Sequence, residues 1–534
     1  MTFVITQNCC DDGSCVPVCP VDCIRPAPNM ADSRRTMLYI DPATCVDCGA
    51  CVAECPVGAI YYEDDLPENQ RAFLGINADY FAAHPLAVRS KDTQSLPSDV
   101  ESDSLRVAIV GSGPAACYAA AELARIDGVQ ISLFDRLPTP FGLIRAGVSP
   151  DHPRTKDVTS VFVPALQSTA VRCYFNVTIG RDLSHAELQA HHHAVIYAVG
   201  ASTSKDLGIP GSELDGSRAA SDFVAWYNGH PDHADDEFDL QSPRVVIVGN
   251  GNVALDVARV LLADPKTLGA TDIADHALRA LADSRVKEVV ILARRYAGDA
   301  AFSVGEFLAL SELPGVDVVV EGPLGDRPSG DFEAALKYDA VVDRSRCEAR
   351  PGNKRLVFRF GAMPTELVGA SGVRGVRVEP TSGGDGERGE LIATSLVLRS
   401  IGYHGTAIAG LPFDADRGVV PNDRGRVLDG GQPVPGVYVA GWIKRGPRGV
   451  IGTNRACSEQ TLAAMLEDFR AGALSAPTTS MADLDELLRQ REVDVVDWGG
   501  WQRIDDAERR AGAAQSRPRS KLVTVGELLA VARS

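Results

Sequence analysis

One pattern occurs twice in this chain and restricts its fold more than any other feature: an apolar strand, a Gly-x-Gly-x-x-Ala turn, then a helical run. The first copy runs from Val107 through Gly111 and Gly113 to Ala116, and the second from Arg244 through Gly249 and Gly251 to Ala254. The pattern asks for one glycine at the tight turn, a second where backbone approaches a pyrophosphate, and a small residue where helix meets strand. Unpaired N–H groups and the helix dipole then hold the phosphates. After the first helix a second apolar run, Gln130 to Phe134, stops at Asp135, where an acid binds ribose hydroxyls. The corresponding strand of the second unit, Glu288 to Ala293, ends instead in Arg294 and Arg295. An arginine pair there suits a 2′-phosphate and favours NADPH over NADH. Two such units predict an α/β Rossmann-like protein that binds two dinucleotides.

The cysteines set a second constraint. Of 13, nine lie between Cys9 and Cys55, and the others are scattered at Cys117, Cys173, Cys347 and Cys457. The second half of the cluster reads Cys45-x2-Cys48-x2-Cys51-x3-Cys55-Pro56. Three thiolates at that spacing wrap one cubane, and the fourth, followed by proline, ligates a neighbouring cluster. Structural zinc would leave the Cys-Pro pairing and the remaining cysteines unexplained. The first half is asymmetric: Cys9 or Cys10, then Cys15, then Cys19-Pro20. With Cys19 joining Cys45, Cys48 and Cys51 on a four-iron cluster, Cys55 is left with Cys15 and Cys9 or Cys10, a set that suits 3Fe-4S. Adjacent Cys9 and Cys10 leave a four-ligand, 4Fe-4S first cluster open. Residues 1–66 resemble the seven-iron bacterial ferredoxins, in which the counterpart of Cys23 is usually not a ligand. This segment holds ten acids against three arginines, a net −7, and an acidic face favours a basic partner.

At 534 residues the chain is too long for one core. Its net charge of −18 argues against nucleic acid or an anionic membrane as the main partner. No secretory signal precedes the first cysteine, and the longest apolar stretch, Val245 to Ala263, carries Asn250, Asn252, Asp256 and Arg259, so no membrane span is expected. A cytoplasmic location, where clustered cysteines bind metal, is the expectation.

Two loops then point to a family. Leu137-Pro-Thr-Pro-Phe-Gly-Leu-Ile-Arg145 and the Asp151-His152 pair follow the first unit, and Gly436-Val-Tyr-Val-Ala-Gly-Trp442 to Asn454 comes near the end. Both resemble the flavin-contacting loops of adrenodoxin reductase-type ferredoxin-NADP reductases. That resemblance makes the first dinucleotide FAD, lined by Gly111, Gly113, Ala116, Asp135, Leu143, Val177, Trp442, Gly449, Val450 and Ile451. It places Gly251, Asn252, Val253 and Ala254 at the NADP pyrophosphate, Arg294 and Arg295 at the 2′-phosphate, and Glu306 near the ribose and nicotinamide, with Lys205 a weaker candidate. His152 and Glu306 are the candidate catalytic residues; His152 as a loop histidine bonded to backbone stays open. The family's second Glu, three residues on, is replaced by Ala309.

The expected fold is therefore an α+β ferredoxin-like cluster domain (1–66), a linker (67–103), and an α/β two-dinucleotide flavoprotein. The last divides into FAD domain (104–203), NADP domain (204–402) and a second FAD segment with C-terminal helices (403–534). Residues from Glu321 to about Glu390 are expected as short antiparallel strands. Lys444, Arg445 and Arg448 are a candidate basic dock for the acidic module. The run His191 to His193 is not expected to bind metal, because consecutive side chains diverge. The expected activity is electron transfer from NADPH through FAD to the clusters and a ferredoxin or cytochrome P450-type acceptor. The alternative makes the cysteine module a sensor or docking domain off the electron path.

Overall fold

The computed structural model describes residues 2–25, 37–86, 105–381 and 389–534. Its centre is a seven-stranded sheet whose order is Asn422–Asp423, Arg426–Asp429, Gln432–Val439, Ala194–Tyr197, Leu105–Val110, Val129–Asp135, Val171–Phe175. The last five of these run parallel, Val107 lying opposite both Ile131 and Ala194. Covered on both faces, such strands are nearly all apolar, and Val107, Ile109, Leu133 and Ile196 are buried.

A second sheet has six strands, all parallel: Ser217–Ala219, Val397–Arg399, Arg244–Val248, Glu288–Ala293, Lys354–Phe360 and Val316–Glu321. A three-stranded antiparallel sheet, Ala362–Gly369, Val373–Pro380 and Glu390–Ala393, covers one face of it through Leu367, Val376, Val378 and Ile392. The expected run of antiparallel strands from Glu321 to Glu390 is thus corrected in its first half. Lys354–Phe360 is an interior parallel strand, and Phe332–Ser345 is a helix capped by Asp331, whose carboxylate accepts Ala334 N–H. The two chain crossings between the large sheets pair with each other, Thr203–Ser204 antiparallel to Tyr403–His404.

The cysteine module is built on two short antiparallel pairs, Phe3–Ile5 with Ile60–Tyr62 and Ile24–Arg25 with Tyr39–Ile40. Helix Ala72–Ala83, inside the span expected as linker, belongs to this module: Phe73, Ile76, Tyr80 and Phe81 are buried in its core. Asn77 fastens the helix, its Nδ2 donating to Ile5 O (2.9 Å) and its Oδ1 accepting Ile40 N–H (2.9 Å). The rest of the expected tether, from residue 87 to 103, lies outside the described residues.

Candidate functional site

Strand Leu105–Val110 delivers Gly111 to a left-handed turn with φ 99°, where a Cβ would lie 2.6 Å from Ala198 O, so only glycine fits. Gly113 caps helix Pro114–Leu123, and a Cβ on it would meet nothing within 4 Å: the helix N-terminus faces open space. Ala116 is buried where that helix meets the sheet. Across the open space the turn Gly441–Trp442 seats on the same helix, since a Cβ on Gly441 would lie 2.7 Å from Ala115 Cβ. Around it, the indole N–H of Trp442 and the Nε and Nη1 of Arg445 are buried without a hydrogen-bond partner. Buried donors without partners are costly, and a polar aromatic cofactor held against Gly113 would supply acceptors. Gly449 adopts φ 84°, Val450 N–H donates to Thr453 Oγ1 (3.1 Å), and Ile451 packs on the flanking core. Leu143 is 47% exposed, whereas Val177 is buried and donates its N–H to Asp135 O (2.8 Å). The Asp135 carboxylate accepts Ser112 N–H (2.8 Å) and Leu137 N–H (2.9 Å), while burial pushes its pKa up.

The second unit repeats the first. Gly249 takes φ 104°, and Gly251 caps helix Asn252–Leu262, with Val253 half-buried on its first turn and Ala254 buried beneath. Asn252 Oδ1 accepts Ser303 N–H (2.8 Å), tying this turn to helix Val304–Leu310, which carries Glu306. Arg294 and Arg295 are exposed at the end of strand Glu288–Ala293 and form no ion pair among the described residues, leaving both free for an anion. Lys205 is exposed on the domain crossing.

Between the two units lies a buried charge cluster. His152 Nε2 is 3.6 Å from Glu306 Oε2 and 3.4 Å from Asp256 Oδ1. Arg259, with its side chain 6% exposed, donates to Asp256, to Glu306 (3.2 Å) and to His152 Nε2 (2.5 Å), and its Nε is 2.6 Å from Asp151. Desolvation would lower the His152 pKa, but the hydrogen bond to Asp256 and the charge of Glu306 outweigh it together with Arg259, and the pKa is raised. Desolvation likewise opposes Arg259, yet Asp151, Asp256 and Glu306 hold it firmly charged. The two candidate catalytic residues are thus brought together, and sequence reasoning missed the residues that bind them. His152, Asp256 and Glu306 converge closely enough for a cation, and the guanidinium of Arg259 already supplies one.

The cysteines divide into two sets. Cys19, Cys23, Cys45, Cys48 and Cys51 line one cavity with Phe3, Val21 and Ile40. Cys9, Cys15 and Cys55 act electrostatically on one another nearer the reductase. Backbone N–H groups of Asp11 and Leu38 approach Cys9 Sγ (both 3.4 Å), and Ala59 N–H approaches Cys55 Sγ (3.3 Å), the donors a charged sulfur needs. Cys10 is buried in the core of the FAD domain beside Ala115 and Tyr118, and its thiol also feels the charges of Cys9 and Cys55. Burial pushes the Cys9 thiol up to about 12 and the Cys51 thiol to about 11, so metal binding at these sites must release protons.

The family models match in the same two places. A 4Fe-4S dicluster domain covers residues 7–59, and a pyridine nucleotide-disulphide oxidoreductase domain covers residues 105–296. A probable ferredoxin/ferredoxin–NADP reductase of Mycobacterium tuberculosis is 47% identical over 100% of this chain and 95% of its own. The chain belongs to the ferredoxin/ferredoxin–NADP reductase family. The mitochondrial NADPH:adrenodoxin oxidoreductase of Arabidopsis thaliana is 40% identical over 82% of this chain and 97% of its own. The structure of Mycobacterium tuberculosis FprA in complex with NADPH superposes with a TM-score of 0.76 at 38% identity, over 80% of this chain and 100% of that one.

In this ferredoxin–reductase fusion the ferredoxin part is seated against both dinucleotide domains. Gly452 N–H donates to Cys10 O (2.8 Å), and a Cβ on Gly452 would lie 2.1 Å from Asp11 O. Tyr118 OH donates to Asp12 (2.9 Å), and Arg154 donates to Gly58 O (3.3 Å) and to Tyr61 OH. On the NADP side, a Cβ on Gly305 would lie 2.7 Å from Gln7 Cβ, and Phe332 packs edge-on against Tyr39 and Tyr80. The expected basic dock is corrected at Lys444 and Arg445, while Arg448 is exposed. Lys444 is buried, its Nζ donating to Gln460 Oε1 (2.8 Å) and Thr461 Oγ1 (3.0 Å), and Arg445 donates to Asn454 Oδ1 (3.0 Å). Arg455 takes that place, 3.3 Å from Ser14 Oγ and 4.0 Å from Asp12.

Proposed function

We propose that this chain is an NADPH-dependent ferredoxin–NADP+ reductase of the adrenodoxin reductase type, which passes electrons through FAD to its own iron–sulfur clusters and on to a one-electron acceptor, a ferredoxin or a cytochrome P450. The observation that carries this reading is the direct hydrogen bond from Gly452, next to the loop Gly449–Ile451, to Cys10 of the cluster module. When bound, FAD accepts the hydride of NADPH and the clusters hold single electrons, which matches a two-electron donor to one-electron acceptors.

The chain's own residues supply binding and orientation. The helix termini at Gly113 and Gly251 would hold the two pyrophosphates, Asp135 the ribose of FAD, Arg294 and Arg295 the 2′-phosphate of NADPH, and Glu306 its ribose and nicotinamide. Trp442, Gly449, Val450, Ile451, Leu143 and Val177 would enclose FAD, with Lys205 near the nicotinamide domain's rim. His152 Nε2 would take up or give up a proton between the guanidinium of Arg259 and the carboxylates of Asp256 and Glu306. Cys19, Cys45, Cys48 and Cys51 would hold a 4Fe-4S cluster; Cys9, Cys15 and Cys55 would hold 3Fe-4S. Thiolate-held clusters fit a reducing cytoplasm, and no helix among the described residues is long and apolar enough to cross a membrane.

Anaerobic titration with NADPH, followed by visible absorption and electron paramagnetic resonance, tests the reading. A 3Fe-4S signal in the oxidised protein that disappears as the flavin bleaches is expected. Flavin bleaching with that signal unchanged would overturn the internal relay and favour a sensor or docking role for the module.

A further inference from the structure

The ferredoxin module has an inner end and an outer end. At the inner end Cys9 and Cys55 pack on the core of the FAD domain, beside Cys10 and Ile451. Contacts from Gly452, Tyr118, Arg154, Gly305 and Phe332 hold that side of the module against both dinucleotide domains. At the outer end Cys48 is exposed, and its loop presents Val46, 55% exposed, with Val52 on the next helix 40% exposed. Exposed valines beside an exposed cysteine form an apolar spot that no described residue covers.

The charge around that spot has one sign. Asp47, Glu54, Asp64 and Asp65 are exposed and form no ion pair among the described residues. The carboxylates of Asp47, Glu63, Asp64 and Asp65 all act on Tyr62, whose ring lies edge-on to Phe3 at 5.4 Å. Phe3 in turn lines the cavity of Cys45, Cys48 and Cys51. The acids therefore rim the same end of the module as the apolar spot.

From this asymmetry we infer that electrons leave the molecule through the Cys48 face, and that this face docks a separate one-electron carrier protein with a basic rim around an apolar centre. The inference rests on the function proposed above and names its outlet. Because the fused module covers the loop that follows Gly449, the acceptor is served at the far end of the module and not at that loop. Each NADPH yields two electrons and leaves NADP+ and a proton; each acceptor takes one electron, so two acceptors dock in turn. An apolar contact sets the dock, and the acidic rim steers the encounter and makes it salt-dependent.

The test uses the holoenzyme and cytochrome c, a basic haem protein. Zero-length carbodiimide cross-linking at low ionic strength, mapped by mass spectrometry, is expected to join cytochrome c lysines to Asp47, Glu54, Asp64 or Asp65. The variant Asp64→Lys/Asp65→Lys is expected to reduce cytochrome c about tenfold more slowly at low salt and to lose the salt dependence. Its ferricyanide reduction by NADPH should match that of the parent. Cross-links confined to the reductase domains, or cytochrome c rates unchanged in the variant, would overturn the outlet. Parent protein that fails to reduce ferricyanide with NADPH would instead overturn the proposed function, and the cross-link map would still decide where a basic partner docks.

Discussion

Arg259 Nη2 lies 2.5 Å from His152 Nε2. A guanidinium can only donate, so this contact requires the unprotonated nitrogen, whereas Asp256 and Glu306, 3.4 and 3.6 Å away, draw a proton onto it. The two arrangements compete at one atom. Replacing Arg259 by Gln removes the competitor and leaves the carboxylates, so His152 should stay protonated to higher pH. The pH profile of NADPH oxidation with ferricyanide is expected to move its His152 limb upward by about one pH unit. Arg259→Lys should shift it less, and His152→Gln should abolish that limb. A profile unmoved in Arg259→Gln would show that the guanidinium does not set the histidine's state.

Gly452 is a packing requirement, not a conformational one. Its φ of −67° suits any residue, but a Cβ would fall 2.1 Å from Asp11 O. Gly452→Val should therefore weaken the seat of the module by about 1–3 kcal/mol, roughly a factor of ten per 1.4 kcal/mol. Stopped-flow mixing with NADPH should show flavin reduction at the parental rate and slower cluster reduction. Equal slowing of both phases would place the damage in the FAD domain.

The exposed pair Arg294 and Arg295 is the proposed reader of the 2′-phosphate. Charge-assisted hydrogen bonds contribute about 1.5–3 kcal/mol each, so Arg294→Gln/Arg295→Gln should raise KM for NADPH by at least tenfold and leave NADH turnover nearly unchanged. Loss of both activities together would mean that the pair supports the strand end and does not read the 2′-phosphate.

What was legible in the sequence was local. Gly111, Gly113 and Ala116, with Gly249, Gly251 and Ala254, specify a turn and a helix start within a few residues, and Cys45, Cys48 and Cys51 bring three thiolates to one cluster from a single short segment. Residues that meet from distant parts of the chain were not legible: Asp151, Asp256 and Arg259 lie far apart in sequence from Glu306, and nothing near Gly452 announces Asp11. A signal for Arg259 existed, because Asp256 and Arg259 interrupt an otherwise apolar helix, and charges there need buried partners. Lys444 misled for the opposite reason. Its neighbours Arg445 and Arg448 suggested a surface, while Gln460 and Thr461, which bury it, come from the following helix. Helix Ala72–Ala83 was passed over although Phe73, Ile76 and Tyr80 fall at helical spacing.

Glu508 couples the C-terminal helices to the segment that ends in Arg145. Its fully buried carboxylate pairs with Arg145 (2.5 Å) and Arg519 (2.9 Å). Desolvation would raise its pKa, but the two arginines prevail and hold it below 4.5. A depressed folded pKa contributes stability that is present above the unfolded value and lost as the group is protonated, so this contribution should fade as pH falls below about 4.5. Glu508→Gln should cost about 3–5 kcal/mol at pH 7, because it leaves buried arginine charge uncompensated. Its urea-unfolding stability should also fall less steeply than the parent's between pH 5 and pH 3, roughly the range over which a carboxylate is titrated. An unchanged acid slope would assign the pH dependence to other carboxylates.

Cys9 and Cys10 are adjacent and chemically identical, yet they face different surroundings. Cys9 Sγ receives the N–H groups of Asp11 and Leu38, while the Cys10 thiol receives the N–H of Asp12 and packs beside Tyr118, and its carbonyl accepts Gly452 N–H. Cys9→Ala should therefore remove the inner cluster, with loss of its iron, sulfide and paramagnetic signal. Cys10→Ala should keep all three, at a cost near that of a small buried cavity, about 1 kcal/mol. If Cys10→Ala loses inner-cluster iron while Cys9→Ala retains it, the ligand set must be rewritten as Cys10, Cys15 and Cys55. Loss in both would make the inner site a four-cysteine one and its cluster 4Fe-4S.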